Sequence, residues 1–444
     1  MSNVASLMSA NNFLANLQAG YPAFPVSPAA YFNSLRAAAL ERVNALTVPT
    51  TRDEEWRFTD ISLLTKLAFQ PAATSSNLHL AEIENFFITE SHTRLVFIDG
   101  VYAAHLSQID TVSGVFVANL ASALITHATA IEAHFGQLAE FKNNVFSALN
   151  TAHMKDGALI LLSRDTVVAQ PIHVLQIATQ KNGVSHPRCF IRAETGSQAT
   201  IVEDYVSLQD EAYFTNTVSE ISLADNAHVH HVRVQREGAQ AFHIANCAVT
   251  LARGSNYQSV SVAMGARISR YNLNVLQAAE AGQCTVDGLA LIGGRQLADT
   301  HTCIDHAQPY GISRQLHKCI VGGGAHAVFN GKIMVRQGAQ RTDSQQTNRN
   351  LLLSNRAQVD TKPQLEIFAD DVKCTHGATV SQLDGEEVFY LQSRGLSDMA
   401  ARNLLTYAFG AEILERIPVP SLKRELEYAM LKQAGLEQTT LEIR

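Results

Sequence analysis

At 444 residues the chain is longer than one ordinary hydrophobic core supports, so two or three structural units are expected. It is 46% hydrophobic and 17% charged, which fits a folded protein with a large core and much covered surface. Its 34 basic and 41 acidic residues leave a net charge of −7, which removes any electrostatic case for binding nucleic acid or an anionic membrane.

Met1-Ser2-Asn3-Val4 lacks the charged start and apolar run of a signal peptide, and the N-terminus has too little Arg for a transit peptide. No stretch approaches 18 consecutive apolar residues, so no membrane span is expected. The six cysteines (Cys189, Cys247, Cys284, Cys303, Cys319 and Cys374) form no CxxC pair. They read as reduced thiols of a cytoplasmic protein, most of them small buried hydrophobes.

Residues 1–150 read as a mainly helical N-terminal region. The run from Ser34 to Arg42 combines strong helix formers with apolar spacing near 3.6, and a second helix is expected from Ala130 to Leu149. Between them, Leu95 to Tyr102 reads as two short strands around the Asp99-Gly100 turn.

Residues 151–382 change period. Short β-rich runs follow turns at Gly196, Asn226, Gly254 and Gly282, about 28 residues apart, and then near Gly324, Gly338, Arg356 and Gly377 at shorter intervals. A degenerate period in this range, with no helix-length segment between strands, predicts a stacked solenoid. A parallel β-helix fits best, with a β-sandwich as fallback. Its ends and edges must be capped or paired.

Residues 383–444 return to helix. Ser397 can cap a helix through Leu404, Leu405, Ala408, Phe409 and Ile413, ending before Pro418. A second helix from about Ser421 aligns Leu422, Leu426, Ala429, Met430 and Gln433 on one side. This is a packed pair or a docking platform.

Enzyme signatures fail on inspection. Gly322-Gly323-Gly324 followed by Gly331-Lys332-Ile333 has the wrong spacing for a phosphate loop, and Ile stands where magnesium needs Ser or Thr. There is no GxSxG elbow and no HExxH. His228 and His230 share a strand face, for which solvation is the plainer reading. His301, Cys303 and Asp305 share another, with His306 opposite; they have metal-ligand chemistry, though 17 histidines make chance clustering easy. The sharpest local signal is Asp370 to Thr379. There Cys374 and His376, two apart, point to one side of an extended backbone; they are half a tetrahedral site for iron, or else a buried filler and an ordinary turn histidine, which the residues alone favour.

The run from Arg341 to Ser354 resembles the SufB/SufD family, and Asp370 to Thr379 and Val388 to Leu396 resemble its SufD branch. Asp53 to Asp60 is similar to the family's entry motif. The resemblance spans nearly the whole chain. It implies a mainly β fold, a right-handed parallel β-helix flanked by helical N-terminal and C-terminal regions. It also implies a non-catalytic scaffold subunit for iron–sulfur cluster assembly, paired with a SufB-like paralogue. A SufC-like ABC-type ATPase would dock on the C-terminal helices, here through Arg394, Gly395, Leu396, Leu405, Phe409 and Leu426. Sulfur would arrive from a cysteine desulfurase through a carrier. The nascent cluster would be transient and shared with the paralogue, with His376 as the interface and metal residue and Cys374 beside it. The paralogue branch carries a cysteine a little upstream of this motif. Here none lies between Cys319 and Cys374, which favours the SufD branch. The resemblance leaves open whether a flavin (FAD) joins the complex and whether the chain forms a homodimer alone. The rival readings are a cytoplasmic β-helix enzyme acting on carbohydrate or another polymer, a free-standing metal carrier, and a purely structural subunit.

Overall fold

One residue with positive φ marks the same corner of each successive coil: Asp165, Gly196, Asn226, Gly254, Ala281, Tyr310 and Arg341. Each N–H in this column donates to a carbonyl of the following coil at 2.6–3.0 Å, from Asp165 to Thr195 through Arg341 to Asp371. Gly, Asn and Asp take the left-handed conformation at low cost. Ala281, Tyr310 and Arg341 carry a strain of about 1 kcal/mol each, which the ladder outweighs.

This corner is the organising feature of a parallel β-helix in the computed structural model, which describes residues 13–21, 27, 29–73 and 78–433. Met1 to Val4 lie outside the described residues. Two parallel sheets face each other, each with eight stacked strands in one-to-one register. The first runs from Gly157–Leu162 to Gln358–Ile367 and the second from Ile172–Ala178 to Lys373–Ser381. From the second coil on, strands of the second sheet start at 198, 228, 256, 283, 312, 343 and 373, in steps of 30, 28, 27, 29, 31 and 30. The period therefore does not shorten along the chain. Gly324 and Arg356 precede strands of the first sheet, Gly338 precedes one of the second, and Gly377 lies inside the last strand rather than at a turn.

The N-terminal region is less helical than expected. Its helix Ala30–Ala45 is present, but Ala130 to Leu149 splits into Ala128–Glu132 and Val145–His153, the latter capped by Asn144 Oδ1, which accepts from the N–H groups of Phe146 and Ser147. Val115–Asn119 pairs antiparallel with Gly157–Leu162, and Thr93–Ile98 pairs parallel with Ile172–Ala178. The Asp99-Gly100 turn joins Thr93–Ile98 to Val101–Tyr102, as expected. These strands close the first coil. The region also packs Val145 and Phe146 against Phe214, Phe242 and Ile268, covering the outer face of the first sheet.

The helices Asp398–Leu414 and Pro420–Gln433 cover the outer face of the second sheet, with Ile413, Leu422, Leu426 and Met430 against Val232, Val260, Leu289 and Ile320. Ser397 Oγ accepts from Ala400 N–H at 3.1 Å, the predicted cap. No helix among the described residues is long and apolar enough to cross a membrane.

Candidate functional site

The two ends of the β-helix differ. Strands and helices close the N-terminal end. At the other, Gln358–Ile367 and Lys373–Ser381 are the last strands of their sheets, and the described residues supply no further strand beyond them. Lys373–Ser381 is exposed along almost its whole length. Unpaired parallel edges of this length are templates for another chain.

Register fixes what this end presents. Strand alternation places Ala199, Val229, Tyr257, Cys284, Ser313, Ser344 and Cys374 in one interior column. Ile201, His231, Ser259, Val286, Gln315, Gln346 and His376 form the next. Every member before the last of each column is buried, so Cys374 and His376 are lumen-facing side chains left uncovered at the mouth. Cys374 is half-buried against the cluster of Ile333, Val335 and Ala369. That burial raises its thiol pKa, with the Ser344 backbone pulling the other way. His376 is exposed and hydrogen-bonds to no protein group among the described residues. Two soft or borderline donors on one face can hold part of a coordination sphere and leave the rest to another chain. No group of three or more His, Cys, Asp and Glu placed to hold a metal occurs among the described residues.

The lumen turns polar toward this mouth. Thr302 donates to Gln315 at 2.9 Å, Gln315 to Gln346 at 3.3 Å, and Gln346 to the Gly331 carbonyl at 3.1 Å. Ser344 and Ser313 hydroxyls lie 2.6 Å apart, and Ser313 meets His306 Nε2 at 3.0 Å. Asn350 donates to the Thr379 carbonyl at 3.0 Å, tying the last strand to the polar interior. Ser344, Gln346 and Asn350 are alternate members of the run from Asp343 to Asn350. The sequence signal for them is that this run is polar at every position, which means that its inward face is polar too.

The other candidates do not converge on a site. His228 is exposed and His230 half-buried on the outer face, while His231 is interior and bonded to Tyr257 and Glu203. His301 lies 3.0 Å from Asp299 and 3.2 Å from Glu55. Burial opposes its charging, but those two carboxylates outweigh it and raise the pKa. Burial also works against Asp299, yet Arg270 and His301 hold its carboxyl at about 2. Asp305 is taken by Arg336 at 2.6 Å and His306 by Ser313. Cys303, its thiol pushed up to about 11 by burial, faces a groove of about 690 Å³ beside the N-terminal region. Arg270, His301, Lys332 and Lys362 around that groove are all paired with acids.

On the C-terminal helices, Arg394 and Gly395 are exposed, and Leu396, Leu405 and Phe409 half-buried. Leu426 is buried to 1%, facing the second sheet and not solvent, and so cannot itself touch a partner. The exposed large apolar side chains there are Phe389, Tyr390, Met399, Leu404 and Tyr428. Periodicity found the apolar stripe of the last helix but could not say that the stripe is spent on its own core. Leu426→Ala is expected to cost about 2–5 kcal/mol of stability, read from denaturant unfolding. A cost below about 1 kcal/mol would mean that the helix is not docked as described.

The family model for the SUF system FeS cluster assembly SufBD core domain matches residues 176–409, and that for the SufBD protein N-terminal region matches 23–174. An iron-sulfur cluster assembly SufBD family protein of Synechocystis sp. is 43% identical over 403 residues, 88% of either chain. The iron-sulfur cluster assembly protein SufD of Escherichia coli is 34% identical over 391 residues, 87% of this chain and 89% of its own. Protein ABCI7, chloroplastic, of Arabidopsis thaliana is 33% identical over 399 residues, 86% of this chain and 82% of its own. With its parallel β-helix and helical flanks, the chain belongs to the SufBD family and is a SufD-like subunit of iron–sulfur cluster assembly.

Proposed function

We propose that this chain is a non-catalytic scaffold whose open β-helix end pairs with a SufB-like paralogue and whose C-terminal helices carry a SufC-like ABC ATPase. The observation that carries the reading is the mouth itself: two unpaired edge strands with Cys374 and His376 at the end of the lumen. A paralogue on those edges would satisfy their backbone groups and bring its own ligands to His376, and Cys374 is the lesser candidate beside it. The nascent cluster would be the shared cargo, its sulfur delivered by a desulfurase and carrier. ATP-driven approach of the ATPase subunits would twist the scaffold and open this interface. The expected location is the cytoplasm, consistent with six unpaired cysteines.

Anaerobic co-purification tests the assembly. The tagged chain should bring down both partners. Glutamate at Phe389 and Met399, which are 70% and 66% exposed, should weaken ATPase binding at least about tenfold while the paralogue is retained. Both side chains point to solvent, so the melting temperature should not move. A wild-type chain that purifies alone would refute the scaffold reading.

A further inference from the structure

The groove beside the N-terminal region has no role in the assembly described above. Its floor crosses five adjacent strands of the first sheet, from Asn246 to Gln364, and its far wall includes Trp56 and Asn144. At about 4.8 Å per strand it is about 19 Å long. Its cations are each paired with an acid and Asp53 is held by Thr50, which leaves amide groups as its main unspent chemistry. Asn246 is only 7% exposed, and its Oδ1 already accepts from Asn144 at 3.0 Å and Asn272 at 2.9 Å. Its buried Nδ2 has no partner. Such a donor costs free energy until something accepts from it. Asn274, on the adjacent strand, and Asn330, two strands further on, make no side-chain hydrogen bond to the described protein.

We infer that this groove binds an extended, low-charge peptide segment of about six residues, donated by a partner chain of the SUF complex and held through its backbone amides. Three observations select that occupant. Small-molecule sites are enclosed and mostly apolar, whereas this groove is partly open and carries amides along its floor at Asn246, Asn272, Asn274, Asn330 and Gln364. A phosphorylated or otherwise anionic ligand finds no free charge here: Arg270, His301 and Lys332 are already neutralised, and the N-terminus of Val145–His153 is capped by Asn144. Six extended residues at about 3.3 Å each span its length. At Gln364 the groove reaches the last strand of the first sheet, so a chain seated on the open end can run a segment directly into it. That last step rests on the scaffold reading above.

Trp56 is the only tryptophan in the chain and lines the groove, so its emission reports occupancy. Overlapping synthetic peptides covering the SufB-like and SufC-like chains would be titrated against the whole protein. One contiguous stretch should shift Trp56 emission saturably. Asn274→Ala with Asn330→Ala should weaken that binding at least fivefold without moving the melting temperature. If no peptide changes the emission, or the double variant binds as well as the parent, the inference is overturned. In the reconstituted complex, alkylation of Cys303 should slow at least fivefold. A complex that assembles with Cys303 as reactive as in the free chain overturns the groove inference alone. A chain that fails to assemble overturns the scaffold reading, and with it the proposed source of the segment.

Discussion

Replacing His376 with alanine should leave the complex assembled and cut its cluster yield by at least about tenfold, the scale on which loss of groups supporting a metal is felt. The separation of the two effects follows from position. His376 is exposed, bonds to no protein group among the described residues, and sits on a strand whose backbone pairs with Asp343–Leu351 independently of side chain. Its removal therefore opens no cavity and breaks no ladder. What it removes is the one imidazole at the lumen mouth. Iron content and cluster absorbance of the anaerobically reconstituted complex are the readouts, with gel filtration as the assembly control. Cys374→Ser should have a smaller effect, because that thiol is half-buried against Ile333 and Val335 and held protonated by burial. Equal cluster yield in His376→Ala and parent complexes would take the residue out of the mechanism. A greater loss in Cys374→Ser would exchange the two roles.

The placement of these two residues shows what the chain makes legible and what it hides. Spacing of two put Cys374 and His376 on one side of a strand, but only register with Ser344 and Gln346 identifies that side as the lumen. The corner column behaves the same way. Gly196, Asn226 and Gly254 announce a left-handed turn by residue type, whereas Ala281, Tyr310 and Arg341 adopt it because neighbouring coils supply the carbonyls. Where residue type stops marking that corner, the turns of both sheets fall into a single series of shorter apparent period. The strand at 115–119 is harder still. It is held by pairing with residues 158–162, a contact that local composition does not encode, whereas the strand at 93–98 is announced by the Asp99-Gly100 turn that follows it. The groove beside Trp56 is assembled from segments more than 200 residues apart, so no local pattern could have announced it.

The same long-range assembly makes Glu220 a sensitive position for stability. Glu220 lies fully buried on the first sheet, where its carboxylate is ion-paired with Arg188 and accepts the backbone N–H groups of Gly136 at 3.1 Å and Leu138 at 3.0 Å. Arg188 in turn donates to Asn150 Oδ1 at 3.1 Å and Thr151 Oγ1 at 3.2 Å, and sits 4.9 Å from the centre of the Phe135 ring. One ion pair thus ties two stretches of the N-terminal region to the β-helix. Glu220→Ala would strand a buried guanidinium and two partly buried N–H groups, and should cost about 3–5 kcal/mol in chemical unfolding. Removing both charges should be milder than removing one, because Arg188→Met with Glu220→Leu leaves no unpaired charge in the interior. If the double change is as damaging as Glu220→Ala, the backbone bonds to Gly136 and Leu138 matter more than the charge pair. If Glu220→Ala costs less than about 1 kcal/mol, the N-terminal region is held by its apolar contacts around Phe146 and Phe214 instead. The wall of the groove would then owe its position to packing, and variants at this carboxylate would leave Trp56 where it is.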